Sequence, residues 1–90
     1  MSVKVEITGA FRKYLNNEKT VEVECSSLGE CLEKISRAYP ETRGMFMTDE
    51  GKLLNRFEIF INSRSIFPGG TDTPLKHGDK VDLVYIVHGG

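Results

Sequence analysis

Val3, Val5 and Ile7 alternate with Lys4, Glu6 and Thr8. A period of two sends the first set to one face of an extended chain, so this stretch is expected as a half-buried strand. Gly9 breaks the alternation, Phe11 is expected to tuck back into the core, and Asn16-Asn17-Glu18 carries turn chemistry. Val21, Val23 and Cys25 then alternate with Glu22 and Glu24. The short link between the two strands makes them an antiparallel hairpin.

The period changes after Ser26-Ser27. Leu28, Cys31, Leu32, Ile35 and Tyr39 fall on one side of a helix, and Glu30, Glu33, Lys34 and Arg37 on the other. Ser27 is an N-cap residue with Glu30 three positions on as its capping-box partner, and Pro40 stops the helix. A helix from about Ser27 to Tyr39 is therefore expected, laid on one face of a sheet. For residues 41–55 a long loop and a small hairpin both fit. Phe57, Ile59 and Ile61 alternate as a third strand, Asn62-Ser63-Arg64 reads as a turn, and a loop from Pro68-Gly69-Gly70 runs to Pro74. Leu75 is expected as a core anchor, His77-Gly78-Asp79 as a tight turn, and the nearly continuous apolar run from Val81 to Val87 as a strand central to the sheet.

Strands in two groups around one helix predict an α+β domain of two layers. If the last strand lies beside the first, both are central and can run parallel. That arrangement is the β-grasp (ubiquitin-like) fold, a mixed sheet with one main helix packed on one face. The expected organisation is one domain over residues 1–87 and a flexible tail, 88–90, ending in Gly-Gly.

Ninety residues support one modest core and no deep cleft. With a net charge of −1 and no dense Lys/Arg run, a nucleic-acid partner is disfavoured. No apolar stretch reaches the ~20 residues a membrane span needs, and the N-terminus lacks the apolar region of a signal peptide. A cytoplasmic monomer is expected. Cys25 and Cys31, six apart, match neither a CxxC pair nor a metal spacing and are expected as two buried free thiols.

Motifs for nucleophilic, metal or nucleotide chemistry are missing from the sequence. His77 and His88 stand in a turn and in the tail, without an evident carboxylate or cysteine partner. Gly69-Gly70 can bind an anion through backbone N–H groups, but a glycine pair there reads first as loop. No catalytic residue, metal site or bound cofactor is expected. What remains is the C-terminus. Chance puts Gly-Gly at a chain end about 0.5% of the time, taking Gly at about 7% of residues. Two residues without Cβ can lie extended in a channel too narrow for side chains. At roughly 3.3–3.6 Å per residue, His88, Gly89 and Gly90 reach about 10 Å beyond the domain.

Leu75-Lys76-His77-Gly78-Asp79-Lys80-Val81, the strand Asp82 to Val87 and the final Gly89-Gly90 together resemble the ending of the MoaD/ThiS family of ubiquitin-like sulfur carriers. Among its members the chain most resembles the archaeal small modifier proteins, in Ala38-Tyr39-Pro40 followed by Asp49-Glu50-Gly51. Asn62-Ser63-Arg64 resembles a family turn with Ser63 in place of glycine, and Tyr85-Ile86 stands where many members have two prolines. The resemblance covers essentially the whole chain. It implies that an E1-like enzyme adenylates the Gly90 carboxylate with its own ATP. The product becomes a thiocarboxylate for a sulfur-accepting synthase, in molybdopterin synthesis or tRNA thiolation, or an isopeptide on lysines of target proteins. The chain itself is then a co-substrate and no enzyme. The alternative is a β-grasp interaction module whose tail is never activated. For partner docking, Val81, Leu83 and Tyr85 are expected to face the helix, and Val84 and Ile86, with Phe60 of the third strand, to form an outward apolar patch. The competing expectation is that residues 41–55 fold over that patch.

Overall fold

The computed structural model describes residues 2–86. Strands β1 (Ser2–Ile7) and β2 (Thr20–Glu24) pair antiparallel, with Val3 opposite Val23 and Val5 opposite Val21. Helix α1 spans Leu28–Ala38, and β3 (Phe57–Ile61), β4 (Arg64–Ser65) and β5 (Lys80–Tyr85) complete one sheet in the order β2-β1-β5-β3-β4. β5 lies parallel to β1, with Val81 beside Val5 and Leu83 beside Ile7, and antiparallel to β3. The α+β, β-grasp arrangement expected from the pattern is the observed one.

Alternation explains the core. Val3, Val5, Ile7, Val81 and Leu83 send their side chains to one face and are almost fully buried. Leu28, Cys31, Leu32 and Ile35 of α1 meet them from above. Each such side chain contributes about 1.5–3 kcal/mol by leaving water, so this layer supplies most of the domain's stability. Both cysteines are free and buried. Desolvation raises the pKa of each, so neither is a thiolate nucleophile at neutral pH.

The helix begins as its sequence requires. Ser27 is the N-cap, and its hydroxyl accepts from Glu30 N–H at 3.3 Å. Glu30 reaches back one residue further than in the usual capping box, to Ser26 N–H at 2.7 Å. Two more first-turn donors are met by a neighbouring loop: Leu28 N–H donates to Thr73 O and Gly29 N–H to Thr71 O, at 2.9 and 2.8 Å. That approach is why residue 29 is a glycine, since a Cβ there would stand 3.0–3.1 Å from Thr71. Tyr39 closes the helix through a bond to Ile35 O, and Pro40 opens a single 3₁₀ turn, Pro40–Thr42.

Two connections carry more structure than the pattern announced. The link from β1 to β2 is a 3₁₀ segment, Gly9–Leu15, that buries Leu15 completely and ends on Asn16 and Asn17 in the left-handed region. Phe11 does return to the core, its ring 5.5 Å from that of Phe57. Residues 41–55 resolve towards the small hairpin: Met47 bridges Leu53, Thr48 N–H donates to Lys52 O, and Gly51 turns the chain at φ +83. Phe46 plugs the core against Phe57 at 5.1 Å. This segment thus closes the core, and Val84 on the opposite face stays 41% exposed.

Candidate functional site

β5 holds the root of the tail, and each of its ends is fixed by a different set of partners. At its start the chain makes a tight turn with Gly78 at φ +87, a backbone shape that side chains disfavour. Asp79 accepts from Lys76 N–H at 2.8 Å and from the Asn62 amide at 2.9 Å. Asn62 in turn accepts from Lys80 N–H at 3.0 Å, and its own N–H donates to Lys80 O at 2.8 Å. The donated bonds hold the Asp79 carboxyl below the ordinary carboxylate pKa. Asn62 can play this part because it and Ser63 sit in the left-handed region, as the two-residue turn between β3 and β4 demands. The two turns noted separately in the sequence are therefore one clamp. His77 belongs to the same corner, accepting from Ser2 N–H at 3.1 Å through Nδ1.

At the other end, Thr8 N–H donates to Leu83 O at 3.0 Å, and Tyr85 N–H donates to the Thr8 hydroxyl at 2.8 Å. Ile86 N–H donates to Arg56 O at 2.8 Å. The strand is thus held from both sides up to the last described residue. Thr8 was not singled out in the sequence; its position at the end of an alternating strand is too common a feature to mark it.

Leu83 faces the helix layer as expected. Tyr85 shares its side of the sheet but lies past the reach of α1, so its ring rests on Phe11 at 4.8 Å and on Phe57 at 5.5 Å and is 40% exposed. Of the outward residues, Val84 is exposed and Phe60 and Ile86 are half-buried. Phe60 and Val84 line one depression together with Thr8, Ser63 and Asp82. Ile86 borders a different, more apolar groove with Leu53, Leu54, Ile66 and Phe67. Phe67 is 86% exposed there, the most exposed large apolar side chain among the described residues. Gly69 donates its N–H to Ile66 O, so the glycine pair is committed to a turn. Val87, His88, Gly89 and Gly90 lie outside the described residues. Among the described residues no group of three or more His, Cys, Asp or Glu side chains is placed to hold a metal ion, and no helix is long and apolar enough to cross a membrane.

Comparison with known proteins gives this geometry a context. The sequence profile of the ThiS family matches residues 5–90, and so runs through the final Gly-Gly. Ubiquitin-related modifier 1 of Encephalitozoon cuniculi is 32% identical over 96 residues, covering 98% of this chain and 100% of that one. The sulfur carrier protein CysO of Mycobacterium tuberculosis is 29% identical over 93 residues, covering all of both chains. Among solved structures, a chain in the crystal structure of the Amycolatopsis orientalis BexX/CysO complex superposes with a TM-score of 0.86 at 25% identity, over 98% of this chain and 99% of that one.

Proposed function

The chain belongs to the ThiS family of ubiquitin-like carriers and modifiers, and from that premise we propose that its working group is the carboxylate of Gly90. The family match extending to residue 90, through Gly89 and Gly90, is the observation that carries the reading. The fold supports it. A central strand clamped on both sides ends at Tyr85, and Ile86 after it is still held by Arg56 O. From there four residues reach roughly 13–14 Å at 3.3–3.6 Å each. That is enough to place a carboxylate in another protein's active site.

A free carboxylate is a poor acyl donor. An E1-like enzyme supplies ATP; a carboxylate oxygen attacks the α-phosphorus, and pyrophosphate leaves. The acyl-adenylate then accepts hydrosulfide at its carbonyl carbon, AMP leaves, and Gly90 ends in a thiocarboxylate. A lysine amine attacking in place of sulfur gives an isopeptide bond and loses its proton to solvent. The names of the similar proteins fall on both sides, one a sulfur carrier and one a ubiquitin-related modifier. In this reading Val84, Phe60 and Ile86 meet the activating enzyme, while His88 and Gly89 pass through its channel. The intact mass of the protein recovered from its native cells tests the reading. One oxygen replaced by sulfur at the C-terminus identifies a carrier, and a branched Val81–Gly90 remnant left by trypsin on lysines of other proteins identifies a modifier. Recovery of the free carboxylate alone, with no remnants, favours a docking module whose tail is not activated.

A further inference from the structure

On the side of the sheet that Tyr85 shares with α1, one depression gathers side chains from four separate parts of the chain and encloses about 300 Å³. Phe11 and Tyr14 come from the 3₁₀ segment after β1, and Glu41 from the 3₁₀ turn after α1. Arg56 and Phe57 come from the entry to β3, and Tyr85 from the end of β5. The floor is aromatic: the Phe11 ring lies 4.8 Å from Tyr85 and 6.0 Å from Tyr14, and the Phe57 ring 5.5 Å from Tyr85. Tyr85 nonetheless keeps 40% of its surface in water. Glu41 and Arg56 line the same depression and are exposed. Among the described residues neither is in an ion pair, with the other or with a third side chain. Elsewhere the fold does pair its charges, Arg37 with Glu33 and Lys80 with Glu6 and Asp82. A single exposed acid or base is ordinary. One of each around a half-exposed aromatic floor has the composition of a contact face, apolar at the centre and polar at the rim.

We propose that this face takes a second copy of the same chain, about a two-fold axis that sets Glu41 of each copy against Arg56 of the other and brings the two Tyr85 rings together. Charge complementarity selects the occupant. In a two-fold contact, residue i meets j and j meets i, so the surface has to complement itself. A rim with one acid and one base meets that condition, and a single two-fold turn forms both ion pairs. A partner that brings an acidic or a basic patch answers one of the two charges and repels the other. The guanidinium and the carboxylate match as a fork of paired donors and acceptors, and the rings beside them keep water from competing. Tyrosine suits the centre, because its ring buries a large area and its hydroxyl stays satisfied at the edge. The side chains gathered here are few beside the roughly 20–30 residues a side of a standard interface, so the dimer is weak and depends on concentration. The monomer expected from the sequence is then the dilute form. This contact is independent of what Gly90 does.

The test is sedimentation equilibrium of the full chain from micromolar to millimolar concentration, beside thermal melts. Wild type is compared with Arg56→Glu, with Glu41→Arg and with the variant that carries both. Wild type is expected to dimerise as its concentration rises, and less so at high salt. Each single reversal sets like charges against each other twice, so association is expected to weaken roughly tenfold or more. The double reversal restores the pairs with their signs exchanged, and association returns to within about threefold of wild type. The two single reversals move the net charge of −1 in opposite directions, so a loss in both does not come from net charge. Both positions are exposed, and all variants are expected to melt with wild type. If a reversal does lower the Tm, Arg56→Gln or Glu41→Gln takes its place and is expected to weaken association several-fold. A dimer that the reversals leave unchanged, or a double reversal no better than the single ones, overturns the proposal. So does a wild type that stays monomeric throughout. Association that appears only when the chain is cut after Ile86 also overturns it, and assigns the depression to the chain's own tail.

Discussion

Where β5 begins, Asp79, Asn62 and the backbone of Lys76 and Lys80 satisfy one another. Where it ends, Val84 and Tyr85 are about two-fifths exposed. One strand thus joins a corner that is complete by itself to a corner that is not. The difference separates two demands on the sequence. The first corner fixes the register and direction of β5, and the second leaves a surface for whatever takes the tail. Stability is therefore expected to concentrate in the core and the clamp, and function at the exit.

The comparison breaks most readily in the core. Leu83 and Val84 are neighbours on β5 with opposite fates, 1% and 41% exposed. Leu83→Ala is expected to destabilise the domain by about 2–5 kcal/mol in a urea melt, through lost transfer energy and the cavity left behind. Val84→Asp is expected to cost only about 1 kcal/mol in the melt, from lost strand propensity and the facing carboxylate of Glu58, and to leave the domain folded. Its effect falls on partner affinity, because a carboxylate buried against an apolar surface is costly without compensation. Unfolding by Val84→Asp reverses the assignment of faces on β5.

The clamp comes next. Asp79→Ala is expected to cost about 1 kcal/mol, since its two bonds are solvent-exposed. Its pH dependence has a definite sign. The folded-state pKa of Asp79 lies below the ordinary 3.8, so its contribution is fully present above that value and is lost as pH falls through the depressed one. The stability gap between wild type and Asp79→Ala should be constant near neutrality and close in strong acid. A gap that widens in acid contradicts the clamp. The smallest effect is at the helix start. Ser27→Ala is expected to cost about 1 kcal/mol or less, because Thr71 and Thr73 already satisfy two of the first-turn donors.

The sequence was legible where one residue's neighbours along the chain decide its fate. Alternation placed the inner faces of β1, β2 and β3, and the cap at Ser27 with the stop at Pro40 placed α1. The ending of the chain led to the family. The 3₁₀ segment Gly9–Leu15 was not legible, because seven residues of that tighter helix leave no sustained period. Tyr85 was placed on the correct side of the sheet, but how far α1 extends over that side is a tertiary matter.

The central claim is that the Gly90 carboxylate is the reactive group, and ATP–pyrophosphate exchange with the activating enzyme tests it most directly. Three forms are compared with wild type: one lacking Gly89 and Gly90, one extended by a tag after Gly90, and one with Gly89 replaced by a bulky residue. All three are expected to melt with wild type, since none alters a residue of the described core. The first two should show no exchange, and the third should be nearly as impaired. Undiminished exchange from the protein lacking both glycines, at unchanged stability, contradicts the account and leaves the domain a docking module.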